Sequence, residues 1–189
     1  MPRRARILLV DDRVENLIAL DAILSPLNQI LVPVRSGEQA LQALRAEEFA
    51  LVLLDILMPG MSGFETANRI KREARTRDVP IIFLTAAGPQ PEQAFLGYAA
   101  GGVDFLAKPF DPGVLKTKVA VFVDLYLKAR RLRDHADRLG GRLQAVEETV
   151  AELRSLPAVS GDAAAAQTAA RLSGRVGRLR DTRDALGVD

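Results

Sequence analysis

The sequence predicts an α/β fold: a doubly wound, five-stranded parallel sheet followed by an α-helical extension. Three observations carry this. Short apolar runs alternate with helical patterns up to about residue 110, the rhythm of consecutive βα units. Four of those runs end in chemically capable side chains, at Asp11 and Asp12, Asp55, Thr85 and Lys108. Beyond Pro112 the apolar residues recur every three or four positions with no further strand-like run, as in long helices.

Each element has its own local reason. Arg6–Val10 (RILLV) is the first strand; a basic start with few apolar residues before two acids is not a secretion signal. Val14, Leu17, Ile18, Leu20 and Leu24 stand near helical spacing, and Pro26 stops that helix. Ile30–Val34 is a second strand, which Pro33 assigns to a sheet edge because proline has no N–H for a central ladder. Ser36 and Gln39 form a capping box before Ala40, Leu41 and Leu44. The run ending in LVLLD is apolar until Asp55, the pattern of a buried strand whose last residue emerges at the sheet edge. Pro59, Gly60 and Gly63 force a loop, and Ser62 with Glu65 restarts a helix from Gly63 to about Arg75. Pro80–Leu84 is the fourth strand. Gly88, Pro89 and Pro91 break the chain before a short helix ending at Gly101 and Gly102. Val103–Ala107 is the fifth strand, and Asp111 with Pro112 is an N-cap and first-turn proline.

In an open parallel sheet the strand C-termini share one edge, where ligands bind. The carboxylates of Asp11, Asp12 and Asp55, the Thr85 hydroxyl and the Lys108 ammonium therefore converge. Singly, each has a plainer explanation: a strand-end Asp capping a turn, a β-favouring Thr, a surface ion pair. Agreement among four strand ends favours a site. Like charges repel unless a cation joins them, and a few hard oxygens suit Mg²⁺, which keeps waters and also binds phosphate.

The set DD…DILMPGMSG…TAA…KPF resembles the receiver domain of two-component response regulators over roughly residues 4–128, with all five positions of that pattern filled. The resemblance implies a flavodoxin-like sheet of order 2-1-3-4-5, a receiver over residues 1–124, and a sensor histidine kinase as partner. It implies that Asp55 is the phosphoacceptor and that Asp12, Asp55 and the Leu57 carbonyl bind Mg²⁺ directly, with Asp11 acting through water. Lys108 and Thr85 would contact the transferred group. The resemblance also implies a cis Lys108–Pro109 bond, aiming Lys108 at Asp55, and a switch role for Phe105 as Thr85 moves. Phe105 as an ordinary strand residue on the helix-packing face stays open. Thr85 and Lys108 are expected at the sheet edge rather than in the core. Leu57 and Ala87, two residues beyond Asp55 and Thr85, carry no group to orient an attacking water, so slow hydrolysis of the phosphorylated form is expected.

Residues 125–189 form a helical coiled-coil or hairpin extension. Leu125, Leu132, Leu139, Val146 and Leu153 are spaced by sevens, with Ala129, Ala136, Leu143 and Val150 between them. Gly140 and Gly141 weaken the helix by roughly 1 kcal/mol each, and Pro157 ends it. After SLPAVSGD a second helix, Ala163 to about Leu186, carries Leu172, Val176, Leu179 and Leu186 on a face that also admits Arg183. A homodimer closing a four-helix bundle would bury both stripes; a partly disordered Ala/Arg tail is the alternative. His135, the only histidine, faintly resembles the histidine segment of kinase dimerisation helices, the plainer alternative being a solvated helix residue.

Composition narrows the function. Lys and Arg number 26 against 24 Asp and Glu, a net charge of +2, and no basic run is interleaved with aromatics, so no nucleic-acid module is indicated. There is no cysteine, hence no thiol chemistry. No apolar run approaches the roughly 20 residues that span a bilayer, which points to a soluble, cytoplasmic protein. With no Walker loop or ATP-binding glycine box, no separate output enzyme is expected. The leading expectation is a response regulator phosphorylated on Asp55 that switches dimerisation or partner docking through its tail. The alternatives are phosphotransfer through His135, or a piece of a larger receiver-containing signalling enzyme.

Overall fold

The structure, a computed structural model, describes residues 4–85, 102–155 and 163–185. The elements are β1 (Arg6–Val10), α1 (Val14–Leu24) continued by a 3₁₀ turn (Ser25–Leu27), β2 (Ile30–Val34), α2 (Gly37–Ala46), β3 (Leu51–Asp55), α3 (Gly63–Arg72), β4 (Ile81–Thr85), β5 (Asp104–Ala107), α4 (Pro112–Ser155) and α5 (Ala163–Ala185). The short helix expected before Gly101, together with Ala87, Pro157 and Leu186, lies outside the described residues.

All four strand pairings are parallel, in the order β2-β1-β3-β4-β5. Pro33 does sit on an edge strand, opposite Leu9. Two-residue alternation splits the core into two layers. Leu8, Val10, Val52, Leu54, Ile81 and Phe83 face α2 and α3, where Ala40, Leu44, Ala67 and Ile70 meet them. Ile7, Leu9, Leu51, Leu53, Ile82 and Leu84 face α1 and the start of α4, where Leu17, Leu20, Leu115 and Val119 meet them. Both faces are covered, so the central strands read as continuous apolar runs.

Local chemistry sets the helix ends. Ser36 Oγ accepts from Gln39 N at 3.3 Å, while Gln39 Oε1 accepts from Arg35 N, one residue short of a full capping box. Ser62 Oγ accepts from Glu65 N at 3.2 Å, and Glu65 turns instead to Arg69. The third helix stops at Arg72, before the expected Arg75. Thr76 Oγ1 donates to the Ile70 carbonyl at 2.7 Å, and Lys71 Nζ donates to the carbonyls of Arg77 and Val79, so side chains close this end as a turn. In α1, Leu17, Leu20 and Leu24 are buried, but Val14 and Ile18 of the expected stripe are 42% and 64% exposed.

The chain divides into two compact units, residues 1–127 and 128–189. The helix α4 has 44 residues, about 66 Å at the α-helical rise. In the second unit Val150 and Val176 are buried and Ala136 and Leu143 half-buried. The other half of the heptad pattern is not covered: Leu132, Leu139 and Val146 are 71%, 58% and 47% exposed.

Two glycines make opposite predictions. A Cβ on Gly63 would lie 2.2 Å from the Asp55 carbonyl oxygen and 2.8 Å from Ile56 Cα. Gly63→Ala should cost about 1–3 kcal/mol in urea unfolding, the usual range for overpacking. A Cβ on Gly141 would meet nothing within 4 Å. Gly141→Ala should therefore stabilise its helix by about 1 kcal/mol, read as a higher midpoint in thermal circular dichroism.

Candidate functional site

The two-residue alternation that builds the core also builds the site. Asp55 continues the side of β3 that carries Leu51 and Leu53, Asp11 follows Leu9 on β1, and Lys108 follows Leu106 on β5. All three fall on the α1 and α4 side of the sheet's C-terminal edge. Hydrogen bonds one residue past the strands hold them there: Asp11 N to Val34 O at 3.3 Å, Ile56 N to Leu84 O at 3.1 Å and Lys108 N to Thr85 O at 2.7 Å. Gly63 N donates to Ile56 O at 2.9 Å, seating α3 against the end of β3.

The Lys108 ammonium lies between two carboxylates, 2.7 Å from Asp11 Oδ2 and 2.7 Å from Asp55 Oδ1. Asp11 is fully buried, and donors surround it. Asn16 Nδ2 donates to both of its oxygens, at 2.8 and 3.0 Å, and Arg13 N donates to Oδ1 at 3.0 Å. Asp55 is 6% exposed. Asp12 is only half-buried, and its backbone carbonyl accepts from the Arg35 guanidinium at 3.3 and 3.4 Å. A cavity of about 640 Å³ opens here, lined by Asp12, Arg13, Asn16, Asp55, Leu57 and Lys108 among others.

The Lys108–Pro109 bond is cis, as the resemblance implies. Thr85 ends β4 at the edge, yet it is 5% exposed, more buried than expected. Phe105 stacks on Phe83 with ring centroids 5.3 Å apart, and Phe83 meets Phe64 edge-on at 5.1 Å. Its ring therefore lies with the α2 and α3 layer. His135 is exposed on α4 within the second unit, with Nδ1 hydrogen-bonded to the Arg131 carbonyl at 2.8 Å. Asn16 and Arg13 did not stand out in the sequence. Their one local signal was a polar pair within a turn of the two acids.

Burial raises the pKa of Asp55, and the Asp11 charge adds to this, against the opposing pull of Lys108 and the Leu57 N–H. Burial alone would lower Lys108, but its hydrogen bonds to Asp11 and Asp55 hold it above the usual lysine value. An acid whose folded pKa is raised destabilises the fold when ionised. That penalty is absent below the ordinary aspartate value and complete above the folded one. Asp55→Asn should therefore raise the melting temperature at neutral pH. The gain should vanish in acid below the ordinary aspartate range, as calorimetry across pH would show.

Comparison with known proteins gives the arrangement its context. The sequence profile of the response regulator receiver domain matches residues 7–120. A probable cyclic di-GMP phosphodiesterase of Vibrio cholerae is 39% identical over 68% of this chain and 28% of its own length. Protein PilH of Pseudomonas aeruginosa is 33% identical over 62% of this chain and 97% of its own. The crystal structure of a putative response regulator from Chloroflexus aurantiacus superposes with a TM-score of 0.61 at 30% identity, covering 65% of this chain and 99% of that one. The chain spans 28% to 61% of the length of the first three distinct curated relatives. No described helix is long and apolar enough to cross a membrane. From the profile match, the similarity to PilH along nearly its whole length, and the shared sheet, this chain belongs to the response regulator receiver family.

Proposed function

We propose that this chain is a phosphorylation-controlled switch in which Asp55 accepts a phosphoryl group from a partner sensor histidine kinase. We take residues 1–124 as the accepting module and 125–189 as its helical extension. The observation that carries this is the buried Asp55 carboxylate, bonded to Lys108 at 2.7 Å and opening on a cavity. An Asp55 oxygen would attack phosphorus in line as the bond to the donor atom breaks, the electron pair leaving with the donor. Lys108 then offsets the charge spread over the phosphoryl oxygens. Thr85 would donate a hydroxyl hydrogen bond to the new group.

The oxygen donors fit Mg²⁺. Asp12 and Asp55 line the cavity with Leu57, whose carbonyl would supply a further ligand. Both oxygens of Asp11 are engaged by Lys108, Asn16 and Arg13, which suits a contact through water. Among the described residues no three acidic, histidine or cysteine side chains form a cage for a metal. Mg²⁺ needs no such cage, since it keeps several waters and takes one or two carboxylates. When bound it would neutralise charge on the phosphoryl group and leaving atom.

Val14 and Ile18 are exposed on α1, whose Asn16 and Ala19 line the cavity, and they supply an apolar contact for the kinase. For the tail, we propose a second copy of this chain as the partner. Leu132, Leu139 and Val146 repeat by sevens and remain exposed on α4, the half of a coiled-coil seam that a second helix would cover. Phe105, stacked on Phe83, is the inward position from which the switch would be read.

Incubation with a small phosphodonor should label Asp55 alone, and only with Mg²⁺. Stoichiometric labelling of Asp55→Ala would overturn the assignment, and label on His135 would mark phosphotransfer through the tail instead. Leu57 is 71% exposed at the site, so Leu57→Asn, which adds an amide able to orient water, should speed loss of the label several-fold; an unchanged half-life would remove Leu57 from that role. Light scattering should find a dimer that Leu139→Glu together with Val146→Glu dissociates. A wild-type monomer at micromolar concentration would rule the second copy out.

A further inference from the structure

The site has a charge problem that Lys108 does not solve. Asp11, Asp12 and Asp55 face one ammonium, and both of its contacts at 2.7 Å are to carboxylates. Any phosphodonor is itself an anion and must approach these acids through the cavity. Like charges in a partly desolvated cleft repel far more strongly than in bulk water. Bound Mg²⁺ would lower the repulsion at the reacting oxygen, and a second cation at the mouth would lower it along the approach.

Among the described residues one further cation lines this cavity, Arg13. Its backbone N–H is fixed to Asp11 Oδ1 at 3.0 Å, which holds the residue beside the acids. Its side chain is exposed, and among the described residues its guanidinium has no hydrogen bond or ion pair. Arg35 is also close, but its guanidinium is tied to the Asp12 carbonyl and does not line the cavity.

Arg13 is also a poor choice for the helix it precedes. It occupies the N-cap of α1 and makes no side-chain capping bond. Ser, Thr, Asp or Asn would satisfy that position, and a cation there opposes the helix dipole. A residue that breaks a local rule beside a reactive centre is where function takes precedence over stability.

We propose that Arg13 is a donor-binding residue, whose guanidinium holds the phosphoryl oxygens of a small acyl phosphate at the cavity mouth and hands the group to Asp55. A planar fork of N–H donors matches two phosphoryl oxygens at once. The inference rests on Asp55 being the acceptor. In the transfer, an Asp55 oxygen bonds to phosphorus as the bond from phosphorus to the acyl oxygen breaks. The electron pair leaves with the carboxylate product, and no proton or further reactant is needed.

The test uses the full chain with Mg²⁺ and acetyl phosphate, and reads the second-order rate constant for Asp55 labelling. Arg13→Gln should lower it about tenfold at low ionic strength, Arg13→Lys should keep at least half, and Arg77→Gln, on an exposed arginine before β4, should match wild type. Added salt should slow the wild type and leave Arg13→Gln little changed. Arg13→Asn separates donor binding from folding: it should lose the same rate yet melt at a higher temperature, because it restores the cap. NMR titration with acetonylphosphonate, which cannot transfer its phosphoryl group, should show weaker binding to Arg13→Gln whether or not Asp55 reacts. Equal affinity, or wild-type labelling by Arg13→Gln at every salt concentration, would overturn the proposal. A wild type that binds the analogue through Arg13 but is never labelled on Asp55 would overturn the acceptor assignment and leave the anion site standing.

Discussion

The Lys108 ammonium between Asp11 and Asp55 is the contact on which the site depends. Two carboxylates at the end of a buried sheet cannot both stay ionised without a cation, because desolvation and mutual repulsion both favour the neutral acid. Lys108 meets this need from β5, across the sheet from β1 and past β3 and β4. Asn16 and the Arg13 N–H satisfy the lone pairs that Lys108 does not reach on Asp11. Asp55 is held by Lys108 and the Leu57 N–H, and burial keeps its pKa raised. The difference separates their roles: Asp11 is held in place, and Asp55 remains the under-stabilised carboxylate facing the cavity.

Most of this arrangement was legible in the sequence, because it follows from two simple regularities. Strand C-termini sharing one edge brought Asp11, Asp55 and Lys108 together, and Pro33 marked the edge strand. Ser36 and Ser62 announced their helices in advance. What the sequence hid was tertiary in origin. Five apolar residues at helical spacing in α1 could not tell which three the sheet would cover, and Val14 and Ile18 proved to be exposed. The early end of α3 depends on where Thr76 and Lys71 place their donors, which periodicity does not encode. Asn16 was invisible because its importance lies in the geometry of three donor atoms around Asp11 and not in its spacing.

The tail shows the same limit from the other side. A heptad pattern states that two faces are apolar but not which one its own chain will cover. Here Val150 and Val176 are buried while Leu132, Leu139 and Val146 are exposed. The helix α4 begins beside the site, anchored by the Lys118–Asp104 ion pair to β5, and continues unbroken into the second unit.

Asp55 is a carboxylate destabilised by burial and restrained by Lys108. Carbon-13 NMR of the aspartate side-chain carboxyls through a pH titration tests it most directly, in the metal-free protein and with saturating Mg²⁺. Asp55 should titrate above the ordinary aspartate range without metal, Mg²⁺ should move it down, and Lys108→Ala should move the metal-free value further up. An Asp55 resonance that titrates at the ordinary aspartate value, and does not respond to either Mg²⁺ or the loss of Lys108, would contradict it.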